Sequence, residues 1–264
     1  MSDRAAPEWD AATYHRVSEP QFEWGLKVLA RLALAGDETV MDAGCGTGRL
    51  TALLIERLPR GRVIAVDQSP SMLATAREFL SPRFGPRVEF LETDLLGLDL
   101  DCACDAIFST ATFHWVPDHD RLFARLFRAL RPGGRIVAQC GGGENLRRLH
   151  DRARELCRAP ERARFFDGWR EPWHFADPGS AARRLHAAGF AEVETWLEAR
   201  PTRFPDAASF RTFIERVVLH PWLARFPDAA LRERFLDALV EQARGDEPPF
   251  ELDYWRLNLG GQRP

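Results

Sequence analysis

The residues most able to do chemistry in this 264-residue chain are seven in a row, Asp42-Ala43-Gly44-Cys45-Gly46-Thr47-Gly48. Glycines at alternate positions let the backbone take positive φ and come close to a ligand. An apolar run precedes them and an amphipathic stretch follows. The loop therefore stands where a strand turns into a helix, whose first N–H groups point at whatever the loop holds. Arg49 occupies the place where a dinucleotide-binding turn needs its third glycine or alanine. Asp42 would repel a pyrophosphate and suits a ligand carrying an ammonium group. Asp67 ends the next apolar run, from where a carboxylate can accept from both hydroxyls of a ribose. Together these residues ask for a nucleoside with a cationic amino-acid tail and no phosphate.

Two further groups invite chemistry. His114 and Trp115 follow the fourth apolar run. A histidine there can serve as general base for a hydroxyl or an acidic carbon, or can hold backbone by a hydrogen bond. Both readings stay open, and Trp115 reads as a pocket wall. Between residues 147 and 170, Arg147, Arg148, Arg152, Arg154, Arg158, Arg162, Arg164 and Arg170 outnumber Asp151, Glu155, Glu161 and Asp167. One or two could clamp a substrate carboxylate, the rest forming a solvated helix face. The five cysteines are odd in number and irregularly spaced, which fits neither a disulfide framework nor a zinc site, so no metal is expected.

The elements that position these residues are legible as alternation. Residues 39–43, 62–67, 88–93, 105–109 and 135–140 read as short strands buried on both faces. Amphipathic helices fall between them. Ser69 can cap one of these, with Pro70 at its first position, and Pro132-Gly133-Gly134 reads as the stop after another. Such alternation makes a doubly wound, mostly parallel α/β sheet. Residues 9–35 look helical, with Phe22, Leu26, Leu29, Ala30 and Ala33 on one face. Later come helices over 146–156, 178–188 and 206–244, and strands near 193–199 and 254–259. Apolar residues at 45% and charged ones at 28% describe a globular chain. A net charge of −3 argues against nucleic acid as the main partner. No signal peptide or membrane span is visible, so the expectation is a cytoplasmic protein without membrane contact.

A nucleoside of the kind the loop asks for is S-adenosylmethionine. Across residues 39–140 the motifs VMDAGCGTG, VIAVDQSPSMLATAR, VEFLETDLLGL and LRPGGRIVAQ resemble those of the class I S-adenosylmethionine-dependent methyltransferases. Trp9 and Tyr14, with ATFHWVPDHDRLFARLFRALRPGG, resemble the trans-aconitate-methyltransferase-like branch, a likeness that fades after about residue 145. The resemblance implies a Rossmann-like, mostly parallel seven-stranded sheet, its last strand antiparallel, with helical lid insertions. It implies one domain over 1–264: an N-terminal lid (1–36), a cofactor-binding core (37–141) and substrate-side insertions (142–176 and 205–248).

Carried onto this chain, the family pattern has Gly44, Cys45, Gly46 and Gly48 wrap the methionine moiety, with Asp42 near its amino group. Asp67 and Gln68 would hold the ribose, and Met72 would lie on the adenine. Thr93, Asp94 and Leu95 would border the adenine, Asp94 accepting from its exocyclic amine. Ser109 to Thr112 would line the edge where the methyl leaves. Trp9, Tyr14 and Gln21 would close over the cofactor, and Trp115, Trp169 and Trp173 would roof the acceptor. Where methyltransferases of planar amines carry an Asn/Asp-Pro-Pro-aromatic motif, this chain reads Ser109-Thr110-Ala111-Thr112-Phe113. The expected reaction is therefore O-methylation of a small carboxylic acid or hydroxyl compound, dominated by positioning, with S-adenosylhomocysteine as product. The alternatives are C- or N-methylation of a small metabolite with His114 as base, and a non-catalytic cofactor-binding module. A nicotinamide-dependent oxidoreductase is disfavoured by Arg49 and Asp42. A monomer or homodimer is expected.

Overall fold

Residues 19–264 are described by a computed structural model of the chain; Trp9 and Tyr14 lie outside them. Among the described residues nine strands occur: β1 (Thr39–Ala43), β2 (Arg62–Asp67), β3 (Val88–Glu92), β4 (Cys104–Thr110), β5 (Leu130–Gly141), β6 (Ala191–Ala199), β7 (Thr202–Arg203), β8 (Glu251–Leu252) and β9 (Trp255–Gln262). Seven form one sheet in the order β3-β2-β1-β4-β5-β9-β6. From β3 to β5 the pairing is parallel, and β9 runs antiparallel to β5, with Gly141 opposite Arg256. All five residues of β1 are buried, as are Val63 to Val66 of β2. Strands covered on both faces need apolar residues throughout, and that made them readable.

By contact the chain falls into two compact units. Among the described residues, one contains 19–143 with 173–198 and 256–264, and the other contains 144–172 with 199–255. In the first, α1 (Glu19–Arg31), α2 (Arg49–Glu56), α3 (Pro70–Phe84) and α4 (His119–Ala129) alternate with the strands. The second holds α5 (Arg147–Cys157), α7 (Ala207–Phe213) and α8 (Ala229–Arg244), and α6 (Pro178–Ala188) belongs to the first. Ser69 caps α3 as expected, accepting from the Met72 N–H at 3.3 Å with Pro70 in the first turn. Among the described residues, no helix is long and apolar enough to cross a membrane.

Two expectations change. The buried face of α1 is Trp24, Gly25, Val28 and Leu29, while Leu26 and Ala30 are exposed. The helix is rotated because Gly25 packs onto Leu50, whose Cδ1 would lie 2.3 Å from any Cβ there. Pro132-Gly133-Gly134 does not end a helix but lies inside β5, since α4 already stops at Ala129. Gly133 turns through φ 78°, so the segment bulges out of the ladder with β4, whose pairing passes from Leu130 to Arg135, and the tail of the chain pins it: Gly133 N–H donates to the Arg263 carbonyl (2.8 Å), and Arg263 N–H to the Gly134 carbonyl (2.7 Å).

Candidate active site

The glycine loop is tied to the sheet by its own backbone. Gly44 and Cys45 N–H both donate to the Val66 carbonyl, at 2.8 and 2.9 Å. Gly44 has φ 87°, and a Cβ on it would meet Thr112 Oγ1 at 2.1 Å. That residue must be glycine twice over, for conformation and for space. Gly46 has φ 55°, and a Cβ there would meet nothing within 4 Å. The loop is therefore closed on its sheet side and open on the other.

Two carboxyl groups sit beneath it. Asp42 is buried and accepts from Thr51 Oγ1 at 2.7 Å. Burial pushes its carboxyl up to about 7, with the nearby Asp67 adding to the effect and the Thr51 hydroxyl opposing it. Asp67 Oδ2 accepts from Gly46 N–H (2.8 Å) and Oδ1 from Ser69 N–H (2.9 Å). Burial raises Asp67 too, against the pull of those backbone donors. Cys45 is buried beside both acids, which with burial hold its thiol well above the ordinary range. An ammonium group brought to this loop would relieve both acids, and its open face leaves room for a ligand. These residues fit S-adenosylmethionine.

The other expected cofactor residues follow by short steps. Ser69 links Asp67 to buried Met72, and Thr93 N–H donates to the Asp67 carbonyl at 3.1 Å. Gln68 is exposed beside them. Asp94 caps the turn Leu95–Gly97, its Oδ1 accepting from Leu96 N–H at 3.0 Å, and Leu95 is buried under it. Ser109 is buried and donates to the Ala43 carbonyl at 2.6 Å, so its hydroxyl braces the end of β1. Gln21 lies half-buried on α1, where Arg49 pairs with Glu19 (3.1 Å) and stacks over Phe22. Its Oε1 finds no hydrogen-bond partner among the described residues.

His114 sits on the turn after β4. Its Nδ1 accepts from Gly141 N–H at 3.3 Å, and its carbonyl accepts from His174 N–H at 2.8 Å. Its ring stacks on Phe175 (5.8 Å), while Trp115 lies 5.6 Å from Trp173. Trp169, expected beside Trp173, belongs to the other unit. There it packs on Trp222 at 4.6 Å and on Phe166 at 5.5 Å. Thr112, expected on the methyl edge, donates to the Gly44 carbonyl, and the residues that sequence reasoning missed are braces: Thr51 on Asp42, and His119, whose Nε2 meets the Phe113 carbonyl at 2.9 Å. A threonine and a histidine inside amphipathic helices give no signal of such contacts.

The arginine-rich stretch resolves into ion pairs. Arg152 engages Asp246 with both terminal nitrogens, Nη1 to Oδ2 at 2.9 Å, and Arg148 Nε adds at 3.6 Å. Arg154 grips Glu171 bidentately (2.6 and 2.7 Å), and Arg158 pairs with Glu155. Arg147 meets Glu144 and Asp151. Most of these guanidiniums already hold carboxylates of their own unit. The Asp246 side chain is only 9% exposed, so Asp246→Ala should destabilise by about 2–4 kcal/mol by leaving two arginines uncompensated. Arg147→Ala, at 60% exposure, should cost less than about 0.5 kcal/mol. Urea unfolding of the two variants checks the contrast.

Residues 40–134 match a family model described as a methyltransferase domain. The chain is 33% identical over 243 residues to a trans-aconitate 2-methyltransferase of Acidovorax sp. (strain JS42), covering 89% of this chain and 88% of that one. It is 33% identical over 255 residues to the protein of that name from Methylobacterium radiotolerans, covering 92% and 91%. Among solved structures, Haemonchus contortus phosphoethanolamine N-methyltransferase 2 in complex with S-adenosyl-L-methionine matches 96% of this chain with a TM-score of 0.63 at 19% identity; the chain spans 56% of its length. YcgJ from Bacillus subtilis matches 92% of this chain and 98% of its own with a TM-score of 0.64 at 15% identity. Those two likenesses speak for the fold, and the curated relatives speak for more: by a third of its residues over nine-tenths of its length, this chain belongs to the class I S-adenosylmethionine-dependent methyltransferases.

Proposed function

We propose that this enzyme O-methylates a carboxylate of a small organic acid. The bound cofactor supplies an electrophilic methyl, so the acceptor must present a lone pair. A hydroxyl, an acidic carbon or an ammonium group must first lose a proton to a base. His114 is the candidate base on the acceptor side of the edge, and the hydrogen bond from Gly141 N–H to its Nδ1 carries the argument. That bond occupies the Nδ1 lone pair, and in the neutral ring the proton then sits on Nε2. A ring so held is a donor and a brace for the turn carrying Trp115. A carboxylate arrives already ionised near neutral pH and needs no base. The relatives named trans-aconitate 2-methyltransferase support the same choice.

In this reading Gly44 to Gly48 and Asp42 hold the amino-acid tail of the cofactor, and Asp67 holds its ribose. Met72, Asp94 and Leu95 border the adenine. The remaining task is alignment, holding the acceptor oxygen in line with the methyl and excluding water. The insertions over 142–176 and 205–248 are the natural place for acceptor choice, because the first leaves from the carboxyl end of β5. Mass spectrometry of reactions with a panel of acids, phenols and amines tests the proposal. Acids alone should gain a methyl, and alkali should remove it as an ester does. A methylated phenol or amine with untouched acids would overturn it. His114→Gln should lower kcat by less than about tenfold; a base would cost about 10²–10⁴.

A further inference from the structure

Residues 173–176 form a strap along the turn Phe113–Trp115. Its backbone is tied at two points: His174 N–H donates to the His114 carbonyl at 2.8 Å, and Gly143 N–H to the Ala176 carbonyl at 2.9 Å. Its rings follow, Trp173 on Trp115 and Phe175 on His114. The His174 imidazole lies 4.4 Å from that of His119 on α4, centroid to centroid. Each of these two rings has its tautomer set by a partner with a single role. A guanidinium only donates, so Arg184 Nη1 of α6, 3.3 Å from His174 Nε2, makes that nitrogen an acceptor. A carbonyl only accepts, so the Phe113 carbonyl draws the His119 proton to Nε2. His119 Nδ1 then carries a lone pair, buried and without a hydrogen-bond partner among the described residues. Both rings are neutral in this arrangement.

A proton added to His174 Nε2 would break the bond from Arg184 and set two cations face to face. The other groups around the pair do not neutralise them. His119 and Asp120 face it from α4 and Arg184 from α6, and the turn contributes the His114 carbonyl. Asp120 is the one acid of this set, 3.6 Å from Arg184 and with its side chain 73% exposed, so water weakens its pull. Burial, and then Arg184, accordingly hold the His174 imidazole below its ordinary range against Asp120. We propose that His174 is a positioning residue for methyl transfer: neutral, it fastens the strap on the turn, and protonated, it releases it, so that acceptor binding weakens in mild acid. This inference rests on the reading of that turn as the border of the acceptor. Released, His174 meets water and titrates near 6.5, whereas fastened it takes up its proton less readily. Fastening is therefore complete above about pH 6.5 and weakens as pH falls below it.

The test uses the whole chain at saturating S-adenosylmethionine, with trans-aconitate as the acceptor probe, at pH 7.5 and pH 6.0. KM of the parent should rise about fourfold from the first to the second, the change that one proton on a group near 6.5 allows, with kcat altered by less than about twofold. His174→Gln keeps an acceptor for Arg184 and cannot titrate. Its KM should match the parent at pH 7.5 and stay within about 1.5-fold of that value at pH 6.0. Arg184→Gln keeps a donor and removes the repelling charge, so its rise should shrink below about twofold. Hydrogen exchange across 173–176, with S-adenosylhomocysteine bound and intrinsic rates divided out, reads the strap without turnover. Protection should fall about fourfold at pH 6.0 in the parent and hold in His174→Gln. A flat parent KM, a rise that survives in His174→Gln, or protection that falls equally in both would overturn the proposal. So would a KM raised equally at both pH values by His174→Gln, the mark of a merely structural histidine. If His174→Gln does not bind S-adenosylhomocysteine, Arg184→Gln decides: a lost rise supports the fastening, and a full rise refutes it. If no acid gains a methyl, the acceptor reading falls, and exchange alone decides whether His174 fastens the strap.

Discussion

Asp67→Ala is expected to weaken S-adenosylhomocysteine binding by about 10²–10⁴-fold, at about 1.5–3 kcal/mol for each of the two charge-assisted bonds to the ribose that we propose for it. The same carboxylate accepts from Gly46 N–H and Ser69 N–H, so its loss also loosens the glycine loop and the start of α3. Both consequences push affinity down. Asp67→Asn keeps one acceptor oxygen and should fall between the parent and the alanine variant. Calorimetry at fixed pH and salt measures all three. An affinity for Asp67→Ala within threefold of the parent would sink the assignment of this residue to the cofactor.

Acid should unfold this protein well before its surface carboxylates are protonated. Burial holds the imidazoles of His119, His150 and His220 down at about 4 each. In the unfolded chain they titrate near 6.5. Between those values the unfolded state binds three more protons, and stability falls as pH falls. Asp42 acts in the other direction: folded it titrates at about 7, unfolded near 3.9, so in this range the native state binds one proton more. At pH 5 the net difference is two protons toward the unfolded state. Linkage converts this to a loss of about 2.7 kcal/mol per pH unit, a large share of a typical domain's stability. Urea midpoints at pH 6.5 and 5.0 should show it. His119→Gln can keep a donor to the Phe113 carbonyl without titrating, and should flatten the slope by about one proton. Equal stability at the two pH values would refute the mechanism.

Much of the sheet could be read from the sequence because buried parallel strands have no polar face to blur the pattern. The bounds of β1, β2 and α6 follow directly from their apolar runs and caps. The face of α1 was not legible, because its docking depends on a glycine accepting Leu50, a contact that hydrophobic periodicity scores as a gap. The strand through Pro132-Gly133-Gly134 was hidden for a similar reason: residues that usually break structure form a bulge pinned by Arg263, far away in sequence. At the site, loop and acids could be named because their spacing is local. The partners that define their chemistry could not. Thr51 on Asp42 and Gly141 on His114 are both products of tertiary register. The arginines of 147–170 read as a possible clamp because sequence shows their number but not the acids across the unit that neutralise them.

The helical unit is written in two separate excursions of the chain, 144–172 and 199–255. Charge sews them together: Arg148 and Arg152 come from the first, and Asp246, with the Glu251 carbonyl that accepts from Arg148 at 2.6 Å, from the second. Aromatic packing of Phe166 and Trp169 on Trp222 joins the same two excursions. A chimera that exchanges one of them with a relative strands guanidiniums against the wrong partner, whereas one that exchanges both moves the whole lattice intact. Recombination can therefore transplant this unit only as a pair, and a shift of acceptor preference by gene shuffling would have to cross the sheet's coding sequence at four points rather than two.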